Sequence, residues 1–140
     1  MHTLLARRLA RHGVRYSRQR KELVEALAAA GRPLATPEIV ERTGLPQSSV
    51  YRNLATFEQA GVVERIAFQS EHAMYELAED VTARHHHHLV CTVCGKVQDT
   101  DMTPRLEQSL DRIVTTVATG NRFHPSSHRL DVLGVCAACA

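Results

Sequence analysis

The sequence predicts an α+β fold, in which a helical N-terminal part is followed by a smaller α/β part. Apolar residues recur at helical spacing over residues 1–60, and short β-branched stretches follow them. A run of four histidines then enters a Cys-x-x-Cys pair. The 140 residues leave room for two small domains, which we place at residues 1–82 and 83–140. Each would be short of apolar core, so we expect help from a metal or a second chain.

The first three helices are bounded by residues typical of helix ends. An arginine-rich helix is predicted over residues 3–12, and a second helix runs from an N-cap at Ser17 to Gly31. Thr36 and the proline after it predict the start of a short third helix, which ends at Gly44.

A fourth helix is predicted after Pro46 and ends at Gly61. Its buried stripe consists of Val50, Leu54 and Phe57. Small polar and basic residues remain on or beside its exposed face: Gln47, Ser48, Tyr51, Arg52 and Ala55. A short helix, a tight turn and a longer helix with such a face indicate a helix-turn-helix.

Residues 62–68 and 73–77 are rich in β-branched and aromatic residues, with a loop at residues 69–72 between them. They predict a hairpin, and a hairpin directly after a recognition helix is a wing. The alternative is a three-helix bundle whose surface arginines are only solvated. Helix order, hairpin and charge together favour the winged helix.

The charge is divided unevenly along the chain. Residues 1–60 contain ten Lys/Arg and five Asp/Glu, whereas residues 61–140 contain seven and ten. The first part therefore suits a polyanion and the second suits cations. No apolar run is long enough to span a bilayer, and the first thirty residues lack the apolar centre of a signal peptide. We expect a cytoplasmic protein without a membrane partner.

The second part is predicted to contain little core. We place a linker at residues 78–84, a strand through the histidines, a second strand at residues 96–100, a helix at residues 103–119 and a last strand at residues 127–135. The helix has one apolar face formed by Leu106, Leu110, Ile113, Val114 and Val117. So few elements bury little surface, and we expect this part to form a homodimer.

The four cysteines form two Cys-x-x-Cys pairs, Cys91 with Cys94 and Cys136 with Cys139. In a reducing compartment this pattern favours metal thiolates over disulfides, and four thiolates complete the tetrahedron of a structural zinc. A thioredoxin-like redox pair is the alternative. It is disfavoured because neither pair lies between a strand and a helix in the expected way.

Side chains alternate between the faces of a strand, so the histidine run predicts two further metal sites. One site, here called the His86/His88 site, would add a wing carboxylate from Glu64 or Glu76, whose strand register decides between them. Asp99 is a further oxygen candidate there. The other site, here called the His85/His87 site, would use these ligands: His85, His87, Glu107 and His128, or His124.

Three motifs resemble the ferric uptake regulator family of bacterial metal-dependent repressors. They are Arg18-Gln19-Arg20, the segment Ser48-Ser49-Val50-Tyr51-Arg52-Asn53-Leu54, and residues 85–95 together with Cys136 and Cys139. The resemblance covers nearly the whole chain. It implies a winged helix, a dimerisation domain, a structural four-cysteine zinc, a regulatory site at the domain junction and often a third site.

For DNA binding, the resemblance implies that Tyr51 and Arg52 lie on the recognition helix. Ser48 and Ser49, in the same motif, are further DNA-binding candidates. The resemblance places Arg15 and Arg20 near the DNA backbone or the minor groove.

The chain departs from the family pattern in two places that concern the regulatory metal. Iron and peroxide sensors commonly have a histidine before the short helix, where this chain has residues 31–34 without one. Zinc sensors commonly have a cysteine just after the wing, where this chain has Ala78. Glu64 matches the wing aspartate of zinc sensors, and the histidine run resembles theirs most. The resemblance therefore favours Zn²⁺, with Fe²⁺, Mn²⁺, Ni²⁺ or a peroxide sensor as alternatives.

The resulting hypothesis is a repressor that silences metal-uptake genes at inverted-repeat promoter DNA, with no small-molecule substrate. Metal at the junction would favour the arrangement of two DNA-binding heads that fits both half-sites. A zinc hydrolase or deaminase is disfavoured because no His-x-Glu or Pro-Cys-x-x-Cys motif is present. A zinc storage or chaperone protein would explain the ligands but not the helix-turn-helix.

Overall fold

The computed structural model describes residues 1–66 and 73–140. The chain divides into two compact units, Met1–Arg84 and His85–Ala140. The first unit contains the predicted helix-turn-helix and wing, and the second contains the histidine run and all four cysteines.

Five helices belong to the described part of the first unit: α1 His2–Arg11, α2 Arg18–Ala30, α3 Thr36–Thr43, α4 Gln47–Gln59 and α5 Glu79–Thr82. Gly31 and Gly44 adopt the left-handed conformation directly after α2 and α3, which ends both helices where the sequence predicted. Ser17 precedes α2, although its side chain makes no capping hydrogen bond. Val50, Leu54 and Phe57 of α4 are fully buried, as predicted.

Three short strands form the sheet of the first unit: β1 Leu34–Ala35, β2 Val63–Ile66 and β3 Met74–Leu77, in the order β1-β3-β2. β2 and β3 pair antiparallel, which confirms the predicted wing strands over residues 63–66 and 74–77. The loop predicted at residues 69–72 lies outside the described residues, as do the last two residues of the first wing strand. Glu64 pairs directly with Glu76, so both side chains project from the same face of the sheet.

The apolar core lies in the first unit, where Leu5 and Leu9 of α1 pack with Leu23 of α2 and Phe57 of α4. All four side chains are fully buried. This core fixes α4 on one side and leaves its other side available for a ligand.

Two predictions for the first unit were wrong. Residues 79–82 form a short helix rather than a linker, and Val81 is buried in the core. Glu79 and Asp80 favour a helix start through the helix dipole, but a single turn is too short to show apolar periodicity. Thr36 is the first helical residue rather than the cap, because Leu34 and Ala35 pair with β3 as a strand.

The second unit contains the elements β4 His87–Cys91, β5 Val97–Thr100, α6 Pro104–Gly120 and β6 Asp131–Gly134. β4 lies between the other two strands, antiparallel to β5 and parallel to β6. β4 begins at His87 rather than His85 because β5 ends at Thr100, directly opposite His87. β6 is also shorter than predicted and begins at Asp131.

The apolar face predicted for α6 lies largely at the surface of the single chain. Ile113 and Val117 are 60% and 61% exposed, and Leu133 of β6 is 63% exposed. Val90 and Val97 are buried between the strands. The described second unit therefore has a small apolar interior, and much of its apolar surface is exposed.

Candidate metal centres and nucleic-acid interface

The four cysteines converge at one end of the second sheet. β4 ends at Cys91, and the pairing of Cys91 with Gly134 brings the segment after β6 to the same edge. The four Sγ atoms all lie within 4.8 Å of one another, and those of Cys94 and Cys136 are 3.8 Å apart. Zinc–sulfur bonds of about 2.3 Å in a tetrahedron require sulfurs about 3.8 Å apart, so the donor set fits a structural zinc.

The thiols of this cluster differ in acidity. Backbone N–H groups of Cys94 and Cys136 lower the pKa of Cys91 to about 6. In contrast, the hydrogen bond with Cys136 and those with the other sulfurs raise the pKa of Cys139 to about 12. The Cys91 thiolate is thus favoured, whereas ionisation of Cys139 is disfavoured. This difference is expected when four sulfurs lie close together without a cation to balance their negative charge.

The ligand atoms of the His85/His87 site also lie within 4.8 Å of one another: His85, His87, Glu107 and His128. Glu107 lies in the first turn of α6, and its Oε1 is 3.1 Å from His85 Nε2 and 2.8 Å from His128 Nε2. His85 and His128 have their Nε2 atoms 3.2 Å apart. Metal–nitrogen bonds of about 2.0–2.1 Å in a tetrahedron place donors about 3.3 Å apart, so this set fits a cation such as Zn²⁺.

Glu107 is held in its ionised form within this cluster. His87 Nε2 lies 3.1 Å from Glu107 Oε2, and this hydrogen bond lowers the pKa of Glu107, with His128 and His85 adding to the effect. His124 is exposed and is not a member of the cluster.

The His86/His88 site is the more buried of the two. His86 and His88 are 6% and 1% exposed. Asp99 pairs with His88 across β4 and β5, so both side chains lie on the same face. Asp99 Oδ2 is 3.9 Å from His86 Nε2, and Asp99 Oδ1 is 4.0 Å from His88 Nε2. Two imidazoles and a carboxylate form a donor set for a divalent cation without sulfur.

The two wing carboxylates predicted for this site belong to the first unit. Glu76 on β3 is buried, and Glu64 on β2 is partly buried. Because Glu64 and Glu76 are paired across the two strands, their side chains lie on the same face of the sheet, and the register does not decide between them.

The predicted DNA-binding residues lie on the first unit. Ser48, Tyr51 and Arg52 of α4 are exposed, and Ser49 is partly buried. Arg20 is tied to this helix, because its Nε donates to Asn53 Oδ1 at 2.9 Å.

The same guanidinium connects α4 to the segment before α2. Arg20 Nη1 donates to the carbonyl oxygen of Arg15 at 2.5 Å. Asn53 is buried and donates in turn to the Ser49 carbonyl at 2.9 Å. This role of Asn53 was not predicted, although its position between Val50 and Leu54 on the buried stripe of α4 indicates it.

In the described part of the chain, residues 1–66 and 73–140, no helix has both the length and the apolar character that crossing a membrane requires.

Helices α3 and α4 are followed by the β2–β3 pair, which defines a winged-helix protein. The described residues also contain three clusters of side chains that could hold a metal ion. The profile of the Ferric uptake regulator family matches residues 11–133. The chain belongs to this family. Its members are transcription regulators rather than enzymes, which agrees with the absence of a predicted catalytic motif.

Curated relatives include ferric uptake regulation proteins. That of Legionella pneumophila is 33% identical over 92 residues, which cover 66% of this chain and 62% of the relative. That of Bordetella parapertussis is 34% identical over 101 residues, covering 72% of this chain and 67% of the relative. The match thus spans about three fifths of the length of the Legionella relative.

Solved structures of the family extend the comparison over more of the chain. The Vibrio cholerae ferric uptake regulator is 28% identical, with a TM-score of 0.69. The match covers 91% of this chain and 96% of the Vibrio cholerae chain. The Helicobacter pylori ferric uptake regulator, described with three functional metal binding sites, is 25% identical with a TM-score of 0.75. The match covers 98% of this chain and 89% of the Helicobacter pylori chain. These similarities confirm the predicted winged helix followed by a dimerisation domain.

Proposed function

We propose that this chain is a metal-dependent repressor that binds promoter DNA as a homodimer. In this proposal, the four-cysteine site is a structural zinc site and the His86/His88 site is the regulatory site. The family match and the three separate donor clusters support it.

DNA binding is proposed for the exposed side of α4. Tyr51 and Arg52 would contact base edges in the major groove, with Ser48 and Ser49 beside them at the start of the helix. Arg15 and Arg20 would contact the backbone or the minor groove. The hydrogen bonds of Arg20 to Asn53 and to the Arg15 carbonyl support a common placement of these residues, because they tie α4 to the segment before α2.

Homodimer formation is proposed for the second unit. The exposed apolar residues Ile113 and Val117 of α6 and Leu133 of β6 support this proposal, because their burial against a second copy would remove apolar surface from water. A dimer would present two copies of α4 to the two halves of an inverted repeat.

Metal regulation is proposed for His86, His88 and Asp99. A bound divalent cation would neutralise the carboxylate and hold both imidazoles at one point. His88 and Asp99 lie opposite each other on adjacent strands of one sheet, His86 directly precedes β4, and both histidines are buried. We propose that a wing carboxylate, Glu76 or Glu64, completes the set and so links DNA binding to metal.

The regulatory cation is proposed to be Zn²⁺ or Fe²⁺. Imidazole and carboxylate donors accept both, so affinity order alone does not choose. The missing histidine in residues 31–34 favours zinc. The ferric uptake regulation proteins among the relatives favour iron.

A zinc storage or chaperone role is the competing function. The winged-helix unit disfavours it, because storage requires neither a recognition helix nor a wing.

DNA-binding titrations test the two functions. Inverted-repeat DNA selected in vitro would be titrated with the dimer in the presence of zinc, ferrous iron, manganese or nickel. The proposal predicts that one of these cations raises affinity and that His86→Ala with His88→Ala abolishes the increase. His124→Ala is the matched control, since this histidine is exposed and outside the clusters. Metal binding without any effect on DNA affinity would favour storage.

A further inference from the structure

His88 is buried and contacts a carboxylate through one of its ring nitrogens. The ring is 1% exposed, and its Nδ1 atom lies 3.0 Å from Asp131 Oδ1. An ionised carboxylate can only accept a hydrogen bond, so His88 Nδ1 is the donor. In a neutral imidazole the proton is then on Nδ1 and the lone pair is on Nε2.

The Nε2 side of the same ring faces the proposed metal donors. Nε2 lies 4.0 Å from Asp99 Oδ1 and is a member of the cluster that includes the His86 nitrogen. His88 therefore has a carboxylate at one nitrogen and the candidate metal position at the other. This arrangement is the one by which proteins commonly fix the tautomer and the orientation of a metal-binding histidine.

The pairing of β4 with β6 places Asp131 next to His88. It is the first residue of β6 and pairs with His88 in the parallel ladder, where the His88 N–H also donates to the Leu130 carbonyl at 3.1 Å. The second oxygen of Asp131 accepts from Arg129 Nε at 3.1 Å. Arg129 thus binds one oxygen of Asp131 and leaves the other, Oδ1, for His88.

We propose that Asp131 is a positioning residue of the His86/His88 site, which presets the Nε2 atom of His88 for a divalent cation. The inference rests on the proposed function, in which His86, His88 and Asp99 are the regulatory ligands.

A second histidine–carboxylate pair provides a comparison within the same unit. In the His85/His87 site, His128 Nδ1 lies 3.3 Å from Asp111 Oδ1. The Asp111 side chain is 59% exposed, whereas that of Asp131 is 21% exposed. Water and salt screen an exposed pair, so Asp131 holds its histidine more firmly than Asp111 does.

Metal affinity in a simplified background tests the proposal. His85→Ala with His128→Ala removes two donors of the other histidine site and defines the parent protein. Affinity for Co²⁺ and Zn²⁺ would be measured by competition with a chromophoric chelator, in full-length protein whose four-cysteine site is loaded. Asp131→Ala is expected to lose about 10- to 100-fold in affinity, the usual effect of removing such a partner.

The conservative and control variants separate positioning from general damage. Asp131→Asn keeps an oxygen acceptor for His88, so most of the affinity and the parent's Co²⁺ absorption spectrum are expected to return. Asp111→Ala is the matched control, because the Asp111 carboxylate contacts His128 of the other site. Its affinity for Co²⁺ and Zn²⁺ is expected to equal that of the parent. Equal affinity in the parent and in Asp131→Ala would overturn the inference.

A parent that binds no cation beyond the four-cysteine zinc would instead overturn the proposed function.

A further measurement does not depend on folding of the variants. Histidine ¹⁵N–¹H correlation spectra of the unsubstituted protein, before the second cation is added, should show His88 protonated at Nδ1. Protonation at Nε2 alone would overturn the inference.

Discussion

Loss of the C-terminal cysteine pair is predicted to unfold the second unit while the first stays folded. Among the described residues, the second unit buries few apolar side chains, chiefly Val90 and Val97. Each contributes about 1.5–3 kcal/mol. A structural zinc contributes about 10–16 kcal/mol in small zinc domains, so in this unit the metal outweighs these valines. The first unit has its own apolar core and lacks these ligands.

The double variant Cys136→Ala with Cys139→Ala leaves only two sulfur donors. Hydrogen exchange read by mass spectrometry should show that peptides covering β4 and β6 lose protection, while peptides covering α2 and α4 keep it. Val93→Ala is the matched control, because Val93 lies in the same Cys-x-x-Cys turn, is 66% exposed and is not a donor. Full protection of β4 and β6 in the double variant would show that the metal does not hold this unit together.

Three further predictions concern DNA, pH and assembly. Arg52→Ala should weaken operator binding by about 1–3 kcal/mol, as measured by fluorescence anisotropy, with unchanged binding as the contrary result. The hydrogen bond from Arg8 lowers the pKa of Asp80. The stabilisation of the folded protein by this pair is therefore fully present above the ordinary pKa of aspartate, and it is lost as pH falls through the lowered pKa of Asp80. Thermal melts should therefore separate Asp80→Asn from the unsubstituted protein at pH 7 by about 0.2–1 kcal/mol, and this difference should disappear as pH falls through the lowered pKa of Asp80. Val117→Glu should give monomers in sedimentation, whereas Thr115→Glu on the same helix should not; dimers in both would argue against α6 as the interface.

The parts of the fold that depend on local signals could be predicted from the sequence. Gly31 and Gly44 end helices because glycine adopts positive φ at little cost, and this holds wherever the helices pack. The division of the histidines follows from the two-residue period of a strand, and His88 lies with Asp99 while His87 lies with Glu107.

The parts that depend on long-range pairing could not be predicted in this way. Asp131 reaches His88 only through the parallel register of β4 and β6, which the local pattern of residues 127–135 does not encode. Val81 of α5 illustrates the same limit, because one apolar residue in a short polar segment has no periodicity. Its place in the core is determined by the helices around it.

Reciprocal linkage tests the central claim that metal and DNA binding are coupled. If metal at the His86/His88 site raises operator affinity, operator DNA must raise metal affinity by the same factor. The affinity of the dimer for the regulatory cation would be measured by chelator competition, with and without saturating operator. We expect metal affinity to rise about 5- to 150-fold with operator in the unsubstituted protein, and not to rise in the His86→Ala, His88→Ala variant. Equal metal affinity with and without operator would contradict it.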